Sequence, residues 1–252
     1  MNGYFLTDQG QVRQHNEDAG GLYHNANNQI LAVVADGMGG HRAGDVASEM
    51  TASNLHTKWQ QAGRMATPEQ AEGWLTQAIH EVNEDILNYA SHHEDCIGMG
   101  TTVVAAICTE QFVTVAHIGD SRCYLYNSYG FKQITQDHSL VNELVRSGQI
   151  SKEEAEHHPR KNVLLKALGT ESGITVERKS LMFEYGDMLL LCSDGLTNKV
   201  TDEELTVMAS YQGKLHEFSH EMIRLANQRG GEDNITLAVV EYDSPDAKEG
   251  EA

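Results

Sequence analysis

Apolar and polar positions fall into blocks along this chain, and the period within the blocks changes from one region to the next. Residues 31–35 (LAVVA) are consecutive apolar positions and predict a buried strand that releases Asp36 into a glycine-rich turn, DGMGG. Ala43, Val46, Ala47 and Met50 then recur at helical spacing, with Asp45 near the helix start. Thr67-Pro-Glu-Gln has the form of a capping box with proline at the first helical position, and Leu75, Ala78, Ile79, Val82, Ile86 and Ala90 mark one face of a long helix behind it. Two successive helices of this kind can lie side by side on a sheet.

From Thr101 the period shortens. Residues 101–107, 112–118, 123–126 and 131–135 are β-rich runs with short connections, which predicts an antiparallel meander. Residues 174–179 and 187–192 predict a further strand pair, and residues 4–7, 20–23 and 235–240 three more strands. Helical stretches are expected at 202–210 and 214–228. Residues 139–168 form a charged helical excursion that reads as a surface flap, and 243–252 (DSPDAKEGEA) as an acidic disordered tail. With three prolines and no linker composition, residues 1–242 are expected to form one domain.

Charge narrows the function classes. Eighteen Lys and Arg face 37 Asp and Glu, a formal charge of −19, which repels nucleic acid and anionic lipid and makes both poor partners. No apolar run approaches the roughly 18 residues of a membrane span and the start has no basic, leader-like segment, so a cytoplasmic protein is expected. The four cysteines form no CxxC pair and none has arginine six positions on, which removes the simplest cysteine-nucleophile phosphate loop and leaves reduced core residues.

Candidate chemistry sits at the strand ends. Asp36, Asp120 and Asp194 each follow the C-terminal end of an apolar run, whereas Asp233 precedes one, so an antiparallel last strand brings all four to one edge. Carboxylates crowded in a cleft need a counter-charge, and oxygen ligands with the Gly37 carbonyl beside them suit Mg²⁺ or Mn²⁺ better than Zn²⁺. A pair of such ions about 3.5–4 Å apart activates a bridging water for in-line attack on phosphorus, which makes phosphate-ester hydrolysis the natural reaction. Arg13, in the polar segment RQHNED (13–18), has the fork geometry to hold phosphate.

In order along the chain stand RQHNED (13–18), DGMGG (36–40), GMGTT (98–102), GDSR (119–122), SDGL (193–196) and EDN (232–234). This ordered set, spread over residues 3–242, resembles the metal-dependent PPM (type 2C) Ser/Thr protein phosphatases, most closely their compact bacterial members. The resemblance implies an α+β fold, a four-layer α-β-β-α sandwich of two mostly antiparallel sheets flanked by helix pairs. It implies that Asp36 bridges two metals, that the Gly37 carbonyl binds one of them, and that Asp194 and Asp233 complete the site. It further implies that Asp18 and Glu17 act through ordered waters, that Arg13 holds the phosphate, and that Asp120 with Asp194 holds a third, weaker ion. Longer members place a histidine directly after the Asp-Gly; here Met38 stands there, and His41 is the candidate general acid, with metal-bound water the alternative. The implied substrates are phosphoserine and phosphothreonine on proteins. The implied partner is a membrane-anchored Ser/Thr kinase that this chain, a monomer, opposes.

Other readings are weaker. His216-Glu-Phe-Ser-His220 matches the HExxH zinc-peptidase spacing, but Leu215, Phe218, Met222 and Leu225 form the apolar stripe and turn both histidines towards solvent. A nucleotide-binding module fails because Arg42 stands where the dinucleotide fingerprint needs its third glycine, and no GxxxxGK[ST] occurs. His117 reads as a packed strand histidine, and the adjacent His157 and His158 face opposite ways on an extended chain.

Overall fold

The computed structural model describes residues 1–39, 43–209 and 214–243. Its strands are β1 (Asn2–Asp8), β2 (Asp18–His24), β3 (Ile30–Met38), β4 (Gly100–Thr101), β5 (Val103–Cys108), β6 (Phe112–Ile118), β7 (Arg122–Asn127), β8 (Gly130–Gln133), β9 (Glu177–Met182), β10 (Met188–Cys192) and β11 (Ile235–Glu241). Its helices are α1 (Ala43–Gln60), α2 (Pro68–His92), α3 (Leu140–Arg146), α4 (Lys152–Glu156), α5 (Asp194–Thr197), α6 (Asp202–Ala209) and α7 (Leu215–Gln228). The strands form a five-stranded sheet in the order β1-β11-β10-β7-β8 and a six-stranded sheet in the order β2-β3-β5-β6-β9, with β4 paired to β3. The pairings are antiparallel throughout.

Strand alternation divides the interior into three apolar layers. On β3, Leu31 and Val33 face α1 and α2, where they meet Leu55, Trp59, Leu75 and Ile79, whereas Ile30, Ala32 and Val34 face the other sheet. On β10, Leu189 and Leu191 fill the space between the sheets, and Leu190 joins Leu237, Phe218 and Met222 beneath α7. Both faces of the central strands are therefore covered, which is why they read as unbroken apolar runs. The result is the four-layer α+β sandwich.

The long helix begins where its sequence signal places it, although the capping box is not closed, because Gln70 reaches the Ala66 amide and not that of Thr67. Pro68 opens α2, the Thr67 side chain accepts from Gln70 N, and Gln70 Oε1 accepts from Ala66 N at 2.9 Å. Helix α1 is fixed to the sheet through the Trp59 indole, whose Nε1 donates to Tyr23 O at 3.0 Å.

Two strand readings are corrected. Residues 101–135 do not form one meander, because β5 and β6 pair in one sheet, β7 and β8 pair in the other, and Gly119-Asp120-Ser121 carries the chain across. A short connection looks the same whether it closes a hairpin or changes sheet, and only packing distinguishes the two. Likewise β9 and β10 lie in different sheets, and β9 starts at Glu177, with Ile174 and Val176 entering the helix-side core from an irregular segment.

The flap is built from α3, capped by Ser139, and α4, held by a capping box between Ser151 and Glu154. Its return is tied down by isolated bridges, Ser139 to Leu164 and Thr101 to Leu168. Among the described residues no helix is long and apolar enough to cross a membrane.

Candidate metal centre and active site

Strands β3 and β6 run in the same direction on either side of β5, and Asp36 and Asp120 lie at their ends. Asp194 follows β10, and Asp233 precedes β11, which is antiparallel to β10. Asp18 opens β2 and is the register partner of Asp36. Five segments thus deliver carboxylates to one edge of the sandwich, near enough for their charges to act on one another.

The cleft is electrostatically costly as it stands. Burial, followed by the charges of Asp194 and Asp233, pushes Asp18 up to about 7, although hydrogen bonds from Thr236 and Ser193 pull the other way. Asp36 is raised well above the carboxylate range, by burial first and then by Asp18, Asp194 and Asp120. Burial and the Asp194 charge carry Asp120 to about 7, and Asp194 is raised by burial and Asp233. Glu17 is raised by burial, against the pull of Arg13. Arg122 works against the rise at Asp120, but its guanidinium is engaged twice over by Asp137, at 3.0 Å from Nε and 2.7 Å from Nη2.

Polar residues hold either the carboxylates themselves or the segments that carry them. Ser193 Oγ donates to Asp18 Oδ2 at 2.8 Å and accepts from Thr236 N at 3.0 Å, while Asp18 Oδ1 is buried with no hydrogen-bond partner. Asp36 N donates to Thr102 Oγ1 at 3.0 Å, Thr102 N donates to Asp36 O at 2.8 Å, and Thr101 Oγ1 donates to the same carbonyl at 2.9 Å. Thr102 Oγ1 also lies 2.7 Å from Ser121 Oγ, which links the Asp36 strand to the Asp120 turn. Asn198 Nδ2 donates to Asp194 Oδ2 at 2.9 Å. The Asn234 side chain accepts from Glu17 N at 2.8 Å and donates to Gln9 O and His15 O, both at 2.9 Å, fixing the loop that carries Arg13.

At Gly37 a side chain has no room, since a Cβ would fall 2.1 Å from Gly44 O and 2.5 Å from Glu17 O. That close approach seats the start of α1 and the Glu17 loop against the Asp36 turn. Arg13 Nη2 donates to Asp233 Oδ2 at 2.9 Å, and about half of the Arg13 side chain faces solvent.

The donors fit a divalent cation. A buried Asp18 oxygen without a partner, among carboxylates that repel one another, calls for a positive counter-charge, and an all-oxygen donor set suits a hard divalent ion. The structure brings together Asp18, Asp36, Gly37, Asp120, Asp194 and Asp233, with Glu17 and Arg13 at the margin. His41 lies outside the described residues, as do residues 244–252 of the acidic tail. Sequence reasoning missed Ser193, Thr102, Asn234 and Asp137 as supports. An acidic residue directly after the β-rich runs was the available signal for the last of these.

The comparisons with known proteins follow from this geometry. The family model described as protein phosphatase 2C matches residues 8–238. The chain belongs to the protein phosphatase 2C family. As a 2C-type enzyme it is a metal-dependent phosphoprotein phosphatase. It is 50% identical over 243 residues to the serine/threonine phosphatase stp of Listeria monocytogenes, covering 96% of each chain. It is 38% identical over 243 residues to the protein phosphatase PhpP of Streptococcus pneumoniae, covering 96% of this chain and 98% of that protein. Among solved structures, the serine/threonine phosphatase Stp1 of Staphylococcus aureus superposes with a TM-score of 0.91 at 40% identity over 96% of this chain and 95% of that one. The catalytic domain of PstP in complex with 2 manganese ions superposes at 0.84, with 32% identity over 96% and 98%.

The remaining motifs take no part in this cleft. His216 and His220 stand on the solvent side of α7, their rings 4.2 Å apart, with Tyr4 hydrogen-bonded to His220 at 3.2 Å. The four cysteines are buried and free, and burial pushes the Cys108 and Cys192 thiols up to about 12.

Proposed function

We propose that this 2C-type phosphatase removes phosphate from serine and threonine side chains of proteins, with Asp18, Asp36, the Gly37 carbonyl, Asp194, Asp233 and Glu17 arranged around two divalent cations. Asp120 with Asp194 serves a third ion. The observation that carries this reading is the convergence of raised, buried aspartates at one sheet edge, with one Asp18 oxygen left without a partner. Manganese or magnesium is the ion class, in keeping with the oxygen-only donors and with the manganese held by PstP. When bound, such ions supply charge neutralisation, polarisation of the phosphoryl group and a nucleophile at neutral pH for in-line displacement.

The chain's own residues orient the reactants. Arg13 receives the non-bridging phosphoryl oxygens, and its bond to Asp233 keeps the guanidinium at the cleft mouth. Asn234 holds the loop carrying Arg13, and the Thr102–Ser121 link keeps the Asp36 and Asp120 segments in register. The flap at 139–168 tunes access, and His41 is the proposed donor to the leaving alkoxide. Residues 1–242 act as one catalytic domain in the cytoplasm, as a monomer, and the enzyme opposes a Ser/Thr kinase.

The test is hydrolysis of p-nitrophenyl phosphate and a phosphothreonine peptide with EDTA, Mg²⁺, Mn²⁺ or Zn²⁺, for the native chain and Asp36→Asn. Turnover with Mn²⁺ that is lost in the variant supports the reading; absence of turnover with every metal overturns it. Persistence of phosphate on a phosphorylated kinase domain incubated with the active enzyme would remove the kinase role alone.

A further inference from the structure

Behind the Asp120 turn lies a cluster that the reading above does not use: the buried His117 and His138, with the partly exposed Glu177 beside them. Gly119 and His138 are joined twice, since His138 N donates to Gly119 O at 2.9 Å and Gly119 N donates to His138 Nδ1 at 3.1 Å. Gly119 has φ +107°, and a Cβ there would fall 2.6 Å from the Thr102 methyl, so this turn accepts only glycine and depends on outside contacts for its shape. A backbone N–H can only donate. Nδ1 of His138 therefore presents its lone pair, and the neutral ring carries its proton on Nε2.

That nitrogen faces a carboxylate. His138 Nε2 lies 2.8 Å from Glu177 Oε1 in a charge contact that is not a hydrogen bond, and among the described residues it has no other partner. Burial lowers the affinity of His138 and His117 for a second proton, with the Glu177 charge acting the other way. The His117 ring stacks on His138 with centroids 4.7 Å apart and planes 11° from parallel, which blocks rotation of the ring. On the far side, His138 O accepts from Leu165 N at 2.8 Å, and Lys166 Nζ lies 3.4 Å from Glu177 Oε1.

The trio's ligand atoms lie within 4.8 Å of one another, a spacing that invites a metal assignment. The hydrogen bonds oppose it. A cation between His138 and Glu177 needs the lone pair of Nε2, which is the protonated nitrogen so long as Gly119 donates to Nδ1.

We propose that His138 is a positioning residue: its Nδ1 holds the Gly119 amide and so sets the Asp120 carboxylate, while Glu177, beside Nε2, ties that setting to residues 165–166 at the end of the flap. This role rests on the reading of Asp120 as a ligand of the weakest-bound ion. Asparagine at 138 places an acceptor oxygen where Nδ1 lies, whereas glutamine reaches towards Glu177 and leaves the Gly119 amide without its acceptor. The two variants therefore separate the hydrogen bond from simple loss of the ring.

The experiment has a metal-free arm and a binding arm. Long-range ¹⁵N–¹H NMR of the EDTA-treated protein should show His138 as the Nε2–H tautomer; the Nδ1–H tautomer overturns the proposal. Mn²⁺ binding followed by electron paramagnetic resonance should show the weakest step loosened about tenfold in His138→Gln and in Asp120→Asn, with His138→Asn within about threefold of native. The tighter steps, unchanged in all three, report that each variant is folded. If Asp120→Asn leaves the weakest step unaltered, the Asp120 reading fails and this role with it. If Asp120→Asn loosens that step but His138→Gln does not, or if glutamine and asparagine loosen it alike, the positioning role alone is overturned.

Discussion

Arg13 and Asp233 stand 220 positions apart in the chain and meet through a hydrogen bond of 2.9 Å between Nη2 and Oδ2. The pair joins the group proposed to hold phosphate to a group proposed to hold metal. With 47% of the Arg13 side chain and 36% of the Asp233 side chain exposed, solvent screens the pair and its contribution to stability is at most about 1 kcal/mol. Its consequence is orientation. Arg13→Ala should lower kcat/KM for a phosphopeptide by about 10- to 100-fold, the cost of one charge-assisted contact, and mostly through KM. Arg13→Lys should recover little of this, because an ammonium cannot reproduce the fork. Steady-state kinetics with melting curves check both statements, and a drop in kcat at unchanged KM would count against a phosphate-holding role.

Stripped of metal, the enzyme should gain stability on acidification over a range where most proteins do not. Asp18 and Asp120 titrate at about 7 in the folded chain, against an ordinary value of 3.8. Because the folded state binds these protons more tightly, their contribution is fully present below about pH 4 and is lost as pH rises through about 7. Melting temperature in EDTA should therefore rise as pH is lowered from 8 to about 5. Saturating Mn²⁺ should raise it most at the alkaline end, where the carboxylates are ionised and free to bind. Thermal scans across pH with and without Mn²⁺ decide the matter; a metal-free melting temperature that falls steadily over that interval would show that the carboxylates are not crowded in solution.

The HExxH pattern on α7 offers a negative control. The buried face of the helix carries Phe218, Ser219, Met222, Ile223 and Ala226, which leaves His216 and His220 exposed beside Tyr4. His216→Ala with His220→Ala should leave phosphatase activity intact and alter stability by about 0.5 kcal/mol or less per site, as surface substitutions do. A large loss of phosphatase activity, or peptidase activity that both substitutions abolish, would reverse the assignment.

What could be seen in the sequence followed from burial. Central strands covered on both faces read as apolar runs, so the aspartates near their ends stood out, and β6, β10 and β11 could be placed within a residue, whereas β3 runs three residues past its expected end and carries Asp36 and Gly37 within it. The supports of those aspartates could not be seen. Thr102 holds Asp36 across 66 positions, Ser193 holds Asp18 across 175, and Asn234 holds the Glu17 amide across 217, so each reads locally as an ordinary polar residue. The passage from β6 to β7 was hidden for a related reason. Three residues suffice for either a hairpin or a change of sheet, and the contacts that Gly119 makes with Thr102 and His138 lie too far along the chain to be read locally.

Ser193 gives the sharpest test of these supports. Its hydroxyl donates to Asp18 and accepts from Thr236 N, so Ser193→Ala removes both bonds in a fully buried place and should cost about 1–3 kcal/mol. The loss of the donor also removes one of the interactions that keep Asp18 from rising further, so more of it is protonated near neutrality. Cation binding must then displace that proton, and the Mn²⁺ needed for half-maximal activity should increase about tenfold, more at pH 6 than at pH 8. Titration of activity with Mn²⁺ at the two pH values, alongside denaturant unfolding in EDTA, separates the binding effect from the folding effect. An unchanged Mn²⁺ requirement in a destabilised variant would mean that Ser193 supports the strand but not the carboxylate.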